Sequence, residues 1–230
     1  MNTPLKLRKI NLVLLIIFTI LQSNCKKEKK IEFPSTVTDI DGNIYHTVLI
    51  NEQVWMVENL KTIHFQNGDS IPNVVDDTLW SKLTTPAYCD FSNNSALSQV
   101  SGRLYNHSVT VDGRKICPPG WHIPNSNEWG LLSGFLGGGN FAGGKMKETG
   151  TAHWRIPNFN ATNESGFTAV SSGMRNSSGH FQQYGTSANW HVYNPSTEMV
   201  GCRLIYNDSE SLNVTGWNEG VGFSIRCIMD

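Results

Sequence analysis

The chain has 230 residues, 18 Lys+Arg against 19 Asp+Glu, and 39% hydrophobic residues, enough for one domain with its own core. From Thr36 onward the balance is 11 Lys+Arg against 17 Asp+Glu, a net charge of −6. That acidic balance excludes an electrostatic footprint for nucleic acid.

The first residues read as an export signal. Lys6, Arg8 and Lys9 precede the apolar run LVLLIIFTIL, residues 12–21. A membrane span needs about 20 apolar residues, so this run suits the core of a signal peptide instead. It ends at QSNC and is followed by KKEKK. A cysteine directly after a signal core resembles a bacterial lipoprotein processing site. The expected organisation is a signal peptide over 1–24, an acylated Cys25 with a polar tether over 25–35, and one domain over 36–230. The lysines after Cys25 would lie against anionic lipid heads or serve as a spacer.

The domain opens with TDIDGNIYHTVLINEQVWMVENL. Asp41-Gly42 marks a turn, and strands are predicted over 45–50 and 54–57, joined at Asn51-Glu52. Asp39, Asp41 and Asn43 have the look of a calcium loop without its glycine and glutamate at the right offsets, so a turn is expected. Residues 66–100 read as loops with short elements, and GRLYN (102–106) as a strand or helix turn. In CPPGWHIPNSNEWGLLSGFLGG (117–138), Pro124 holds its predecessor extended. Asn125 and Glu128 fit a capping box, and Trp129, Leu132, Phe135 and Leu136 recur at helical spacing up to Gly137-Gly138. Later strands are predicted over 167–170, 203–206 and 223–228, in an α+β fold with few helices and much irregular structure.

Other patterns carry little chemistry. Gly139 to Lys145 matches GxxxxGK, but Met146 replaces the magnesium-binding hydroxyl, and the segment follows a helix where a phosphate loop follows a strand. It reads as a glycine-rich loop. The seven histidines form no HExxH or HxH pair, no GxSxG is present, and Glu148, Glu164, Glu198 and Glu219 show no pairing for glycoside cleavage. No catalytic residue, metal site or cofactor is expected. Cys89, Cys117, Cys202 and Cys227 form no CxxC and leave three disulfide pairings open. Trp154, Tyr184, Trp190, Tyr193, Tyr206 and Trp217 lie among Asn, Ser and Gly, a composition that serves either sugar stacking or an irregular core.

TDIDGNIYHTVLINEQVWMVENLK, AYCDFSNN, GRLYN, CPPGWHIPNSNEW, AGGKMKETGTAHW, ATNESGFTAVSSGMR and GFSIRCIMD together resemble, in that order, the Fibrobacter succinogenes major paralogous domain family. That family resembles C-type lectin-like folds. The resemblance implies a domain with one or two helices, a small antiparallel sheet and a long irregular loop region, in envelope proteins that are often lipoproteins. It also implies chain ends lying side by side, bridged by a Cys117–Cys227 disulfide, with Cys89 and Cys202 left as a second pair or as buried thiols. Where the family often shows a YWSST-like run, this chain has GTSANWHVYNPST. Trp217-Asn218-Glu219 matches only the last part of a lectin calcium motif, so no calcium is expected. The function expected is that of an outer-membrane lipoprotein of the cell envelope, with a non-catalytic domain binding glycan or protein. The ligand candidates are Trp190, Tyr193, Trp217 and Asn218. The alternatives are an enzyme of the formylglycine-generating type and a purely structural envelope protein.

Overall fold

The structure, a computed structural model, describes residues 32–195 and 200–230. The signal peptide expected over 1–24 and the lipidation expected at Cys25 lie outside them. In chain order the strands are β1 (Thr36–Thr38), β2 (Ile44–Ile50), β3 (Gln53–Met56), β4 (Tyr88–Cys89), β5 (Leu104–Asn106), β6 (Trp121–His122) and β7 (Met174–Arg175). They continue with β8 (Phe181–Gln182), β9 (Ser187–His191), β10 (Val200–Tyr206), β11 (Asn213–Trp217), β12 (Gly222–Phe223) and β13 (Ile228–Met229). The helices are α1 (Asp77–Trp80), α2 (Ser95–Ser101), α3 (His107–Thr110), α4 (Ser126–Phe135) and α5 (Gly139–Met146). The architecture is α+β, with three antiparallel sheets in the orders β1-β2-β3-β13-β6, β11-β10-β9 and β4-β5-β12-β7-β8.

The first sheet is built from both ends of the domain. β2 and β3 form the expected hairpin, turning at Asn51 with a positive φ of 56°, a conformation asparagine tolerates. The turn before it uses its carboxylates internally. Asp39 accepts from the backbone N–H groups of Asp41 and Asn43 and from the Tyr45 hydroxyl at 2.6 Å. β13 then enters between β3 and β6, with Ile228 opposite both Trp55 and His122. The Cys117–Cys227 disulfide closes this junction, with a Cα–Cα separation of 6.0 Å across 110 residues of sequence. The second pairing does not form. Cys89 and Cys202 are free and buried, Cys89 among Trp80, Phe91 and Leu104, and Cys202 in a separate cluster with Met174 and Phe223.

α4 starts as its sequence dictates. The Asn125 side chain accepts from the N–H groups of Asn127 and Glu128, and Glu128 Oε2 accepts from Asn125 N at 2.7 Å. Trp129, Leu132 and Leu136 are buried, whereas Phe135 is 58% exposed, so the buried stripe is narrower than the periodicity suggests. The glycine-rich segment after it is a helix, α5, not a loop. Its glycines answer a packing demand: a Cβ on Gly143 would fall 2.6 Å from Ser211 O, and one on Gly144 2.6 Å from Asn160 O.

Two predicted strands differ. Residues 167–170 contribute only a bridge at Ala169 to Lys147, because Thr168 adopts φ 53° and accepts the side chain of Asn163. Residues 223–228 are not one strand, because the chain leaves β12 in one sheet and enters β13 in another. Arg226 lies in the crossing, buried, donating to Asn59 Oδ1 at 3.0 Å and to Phe167 O.

The main core is aromatic. Trp129 lies 4.9 Å from Trp55 and 5.9 Å from Trp190, ring to ring, and Phe167 meets Trp190 edge-on at 5.6 Å. Such tilted pairs add about 0.5–1.5 kcal/mol each beyond burial of their area. Lys147 is also buried, its ammonium donating to the carbonyls of Phe159, Tyr206 and Ser209. Burial pulls its pKa down to about 8. These three bonds tie the irregular segments around Phe159 and Ser209 to the end of α5. Among the described residues no helix is long and apolar enough to cross a membrane.

Candidate functional site

An apolar cleft lies beside the disulfide. β5 ends at Asn106, whose side chain accepts from Ala87 N and donates to Thr85 O. α3 follows, burying Val109 and Thr110. The chain then runs through Val111 to Cys117 as an irregular wall, held by Arg114 within it and by Phe65, Gln66 and Asp69 from outside it. Arg114 donates to Asp112 through Nε at 2.9 Å and Nη2 at 2.8 Å, reaches Asp69 at 3.0 Å, and lays its guanidinium 4.1 Å over the Phe65 ring. Gln66 donates from its side chain to Cys117 O and from its backbone to Lys115 O. The opposite wall is β6 with Ile123.

Between them is a cleft of about 310 Å³ lined by Val109, Val111, Ile116, Cys117, Trp121 and Ile123, with Tyr193 at its rim. Its floor is buried, while Val111 and Tyr193 are 42% and 40% exposed. A volume near 300 Å³ with mostly apolar lining and a few polar groups is the usual form of a small-ligand site. Val111 and Asp112 also line a second, more polar recess of about 500 Å³, which includes Asn106, His107, Pro195 and Glu219. Burial lowers the His107 pKa, opposed by the Glu219 carboxylate.

His122 lines the apolar cleft together with Asp112 and Lys115. Its Nδ1 lies 2.6 Å from Asp230 and its Nε2 2.8 Å from Glu128, the carboxylate that caps α4. Burial acts to lower its pKa, but the hydrogen bonds and charges of Glu128 and Asp230 outweigh burial and hold it raised. The backbone N–H of Tyr193 donates to Pro124 O at 2.9 Å. The aromatic rim, the imidazole and the start of α4 are thereby one connected unit.

Of the four ligand candidates, the structure brings one to the cleft. Tyr193 stands at its rim. Trp190 is a core residue, fully buried, with Nε1 donating to Asn59 Oδ1 at 2.8 Å. Its place in β9, with every residue of the strand buried, removes it from any surface. Trp217 is half-buried, with its ring 6.0 Å from Phe223, and Asn218 is exposed beside Glu219 of the polar recess. Trp121, Ile116 and Val111 were not singled out by the sequence. CPPGW reads as a joint, and only the pinning of the 111–117 wall turns it into one side of a cleft. The two free thiols stand away from this surface chemistry, since burial pushes Cys89 up to about 12 and raises Cys202 further. Buried His191 donates from Nε2 to Tyr105 O and has its pKa lowered by burial to about 3, which keeps it neutral. Among the described residues no group of three or more His, Cys, Asp and Glu side chains is placed to hold a metal ion.

A family model described as the Fibrobacter succinogenes major domain matches residues 48–229. No curated protein and no solved structure matches the chain.

Proposed function

The chain belongs to the Fibrobacter succinogenes major domain family, and from that membership we propose a lipid-anchored envelope protein whose domain binds glycan without catalysis. The observation that carries the binding reading is the cleft: buried apolar walls, an exposed tyrosine ring at the rim, and an adjoining recess with an amide, an imidazole and a carboxylate. A ring such as Tyr193 offers a flat apolar face to the C–H side of a sugar, and the polar recess offers partners to its hydroxyls. The anchor rests on the apolar run ending at Cys25 and the lysine tether. Two or three acyl chains at that cysteine would hold the protein on the outer membrane, where one would not. The joining of the domain's two ends by β13 and the disulfide supports a C-type lectin-like assignment.

A protein ligand is the second reading, favoured by the apolar character of the cleft floor. An enzyme of the formylglycine-generating type would need an accessible thiolate. The two free thiols among the described residues are buried with raised pKa values, the condition of inert cysteines. The test is a glycan array probed with the purified protein and with Tyr193→Ala. Loss of a stacked ring should weaken binding roughly tenfold or more, with the melting temperature unchanged. Glycan binding indifferent to Tyr193→Ala, or none on the array, would overturn the reading. Fatty-acid labelling that persists in Cys25→Ala would refute the anchor.

A further inference from the structure

We propose that two copies of this chain pair through the open edge of β11, antiparallel about a two-fold axis at Thr215. Among the described residues β11 has one strand neighbour, β10. The direction of its backbone groups follows from the ladder. Val192 N donates to Gly201 O and Asn207 N to Thr186 O, so odd-numbered residues of β10 bond to β9. Even-numbered residues then bond to β11, where their partners are Asn213, Thr215 and Trp217. By alternation along an antiparallel strand, Val214 and Gly216 turn their N–H and C=O groups outward.

Such an edge is a template for another strand, and proteins normally blunt it with lysine, proline, a bulge or extreme shortness. β1, also at a sheet edge, is three residues long and preceded by Pro34. β11 has five residues, NVTGW, with no charge and no proline, and Val214 is 70% exposed. The edge fits a second copy of itself. Set antiparallel with Thr215 opposite Thr215, each Val214 faces the other copy's Gly216, and every outward N–H meets an outward C=O. The Val214 side chain then stands opposite a glycine, and the two threonines form a cross-strand pair of a favourable kind. Glu210 and Glu219 lie beyond the paired segment. The contact is isologous, so it closes at two copies and continues the β11-β10-β9 sheet into one of six strands.

Two measurements test this on the full chain in detergent. In a Cys25→Ser background, Thr215→Cys should give an intermolecular disulfide dimer on mild oxidation, because the two Cβ atoms face each other across the axis. Val75→Cys, exposed elsewhere (53%), should not. Sedimentation velocity should show a dimer that Val214→Lys converts to monomer, while the circular dichroism spectrum stays unchanged. Val214→Pro gives a second check, because it removes only an outward N–H and should act the same way. A monomeric parent chain, a dimer that survives both substitutions, or a Thr215→Cys thiol that reacts with maleimide yet never cross-links would overturn the proposal.

Discussion

Two neighbouring helices were made in opposite ways. α4 is written locally: an asparagine cap, a glutamate three residues on that returns the bond, and apolar residues at helical spacing. α5, separated from α4 by three residues, has glycine at three of its eight positions, Gly139, Gly143 and Gly144. Stated by contact, α5 exists because Gly143 and Gly144 let the backbone at Ser211 and Asn160 come within van der Waals reach, at a cost in helix propensity of roughly 1 kcal/mol per glycine. One helix is decided by its own residues, the other by what crosses it.

Substitutions can break that contrast, and the largest expected effect lies in α4. Trp129 is fully buried between Trp55 and Trp190, so Trp129→Ala should cost about 3–5 kcal/mol in a denaturant melt. A ligand-stacking role would spare stability instead. Next is a paired test with opposite signs. Gly143→Ala places a methyl against Ser211 backbone atoms at 2.6 and 2.7 Å and should destabilise by about 1–3 kcal/mol. The same change at Gly130, in α4, meets nothing within 4 Å and should stabilise by about 0.5–1 kcal/mol. Equal effects at the two sites would end the distinction.

Smaller effects are expected at the start of α4. Glu128→Ala removes half the capping box and should cost about 1 kcal/mol. The smallest effect is one of pH. His122 has a raised pKa because Glu128 and Asp230 hold it. Its contribution to stability is therefore full below the ordinary histidine pKa of about 6.5 and is lost as pH rises through the raised value. Melts across that window should show the decline in the parent chain and a weaker one in Asp230→Asn, whose His122 should titrate lower by NMR.

What the sequence disclosed divides along the same line. The β2–β3 hairpin, the turn at Asp39 and the α4 cap were legible because each is settled within a few residues. The Cys117–Cys227 bridge became legible only through the family resemblance, since four cysteines alone leave three pairings. α5 was hidden because its glycines respond to Ser211 and Asn160, far off in sequence. Trp190 misled because a tryptophan among Asn and Ser reads the same whether it stacks on a sugar or on Phe167. The cleft was least visible of all. Its wall from Val111 to Cys117 has no pattern of its own and is shaped by Asp69, Gln66 and Cys227 acting from other segments.

As proposed, recognition runs through this cleft and not through the polar aromatic stretch as a whole. Nitrogen–proton correlation spectra, recorded while adding a soluble oligosaccharide chosen from the array, test it most directly. Shift changes should concentrate at Val111, Ile116, Trp121, Ile123 and Tyr193, extending to His107 and Glu219. Changes centred on residues 213–217, or spread without reference to the cleft, would contradict it.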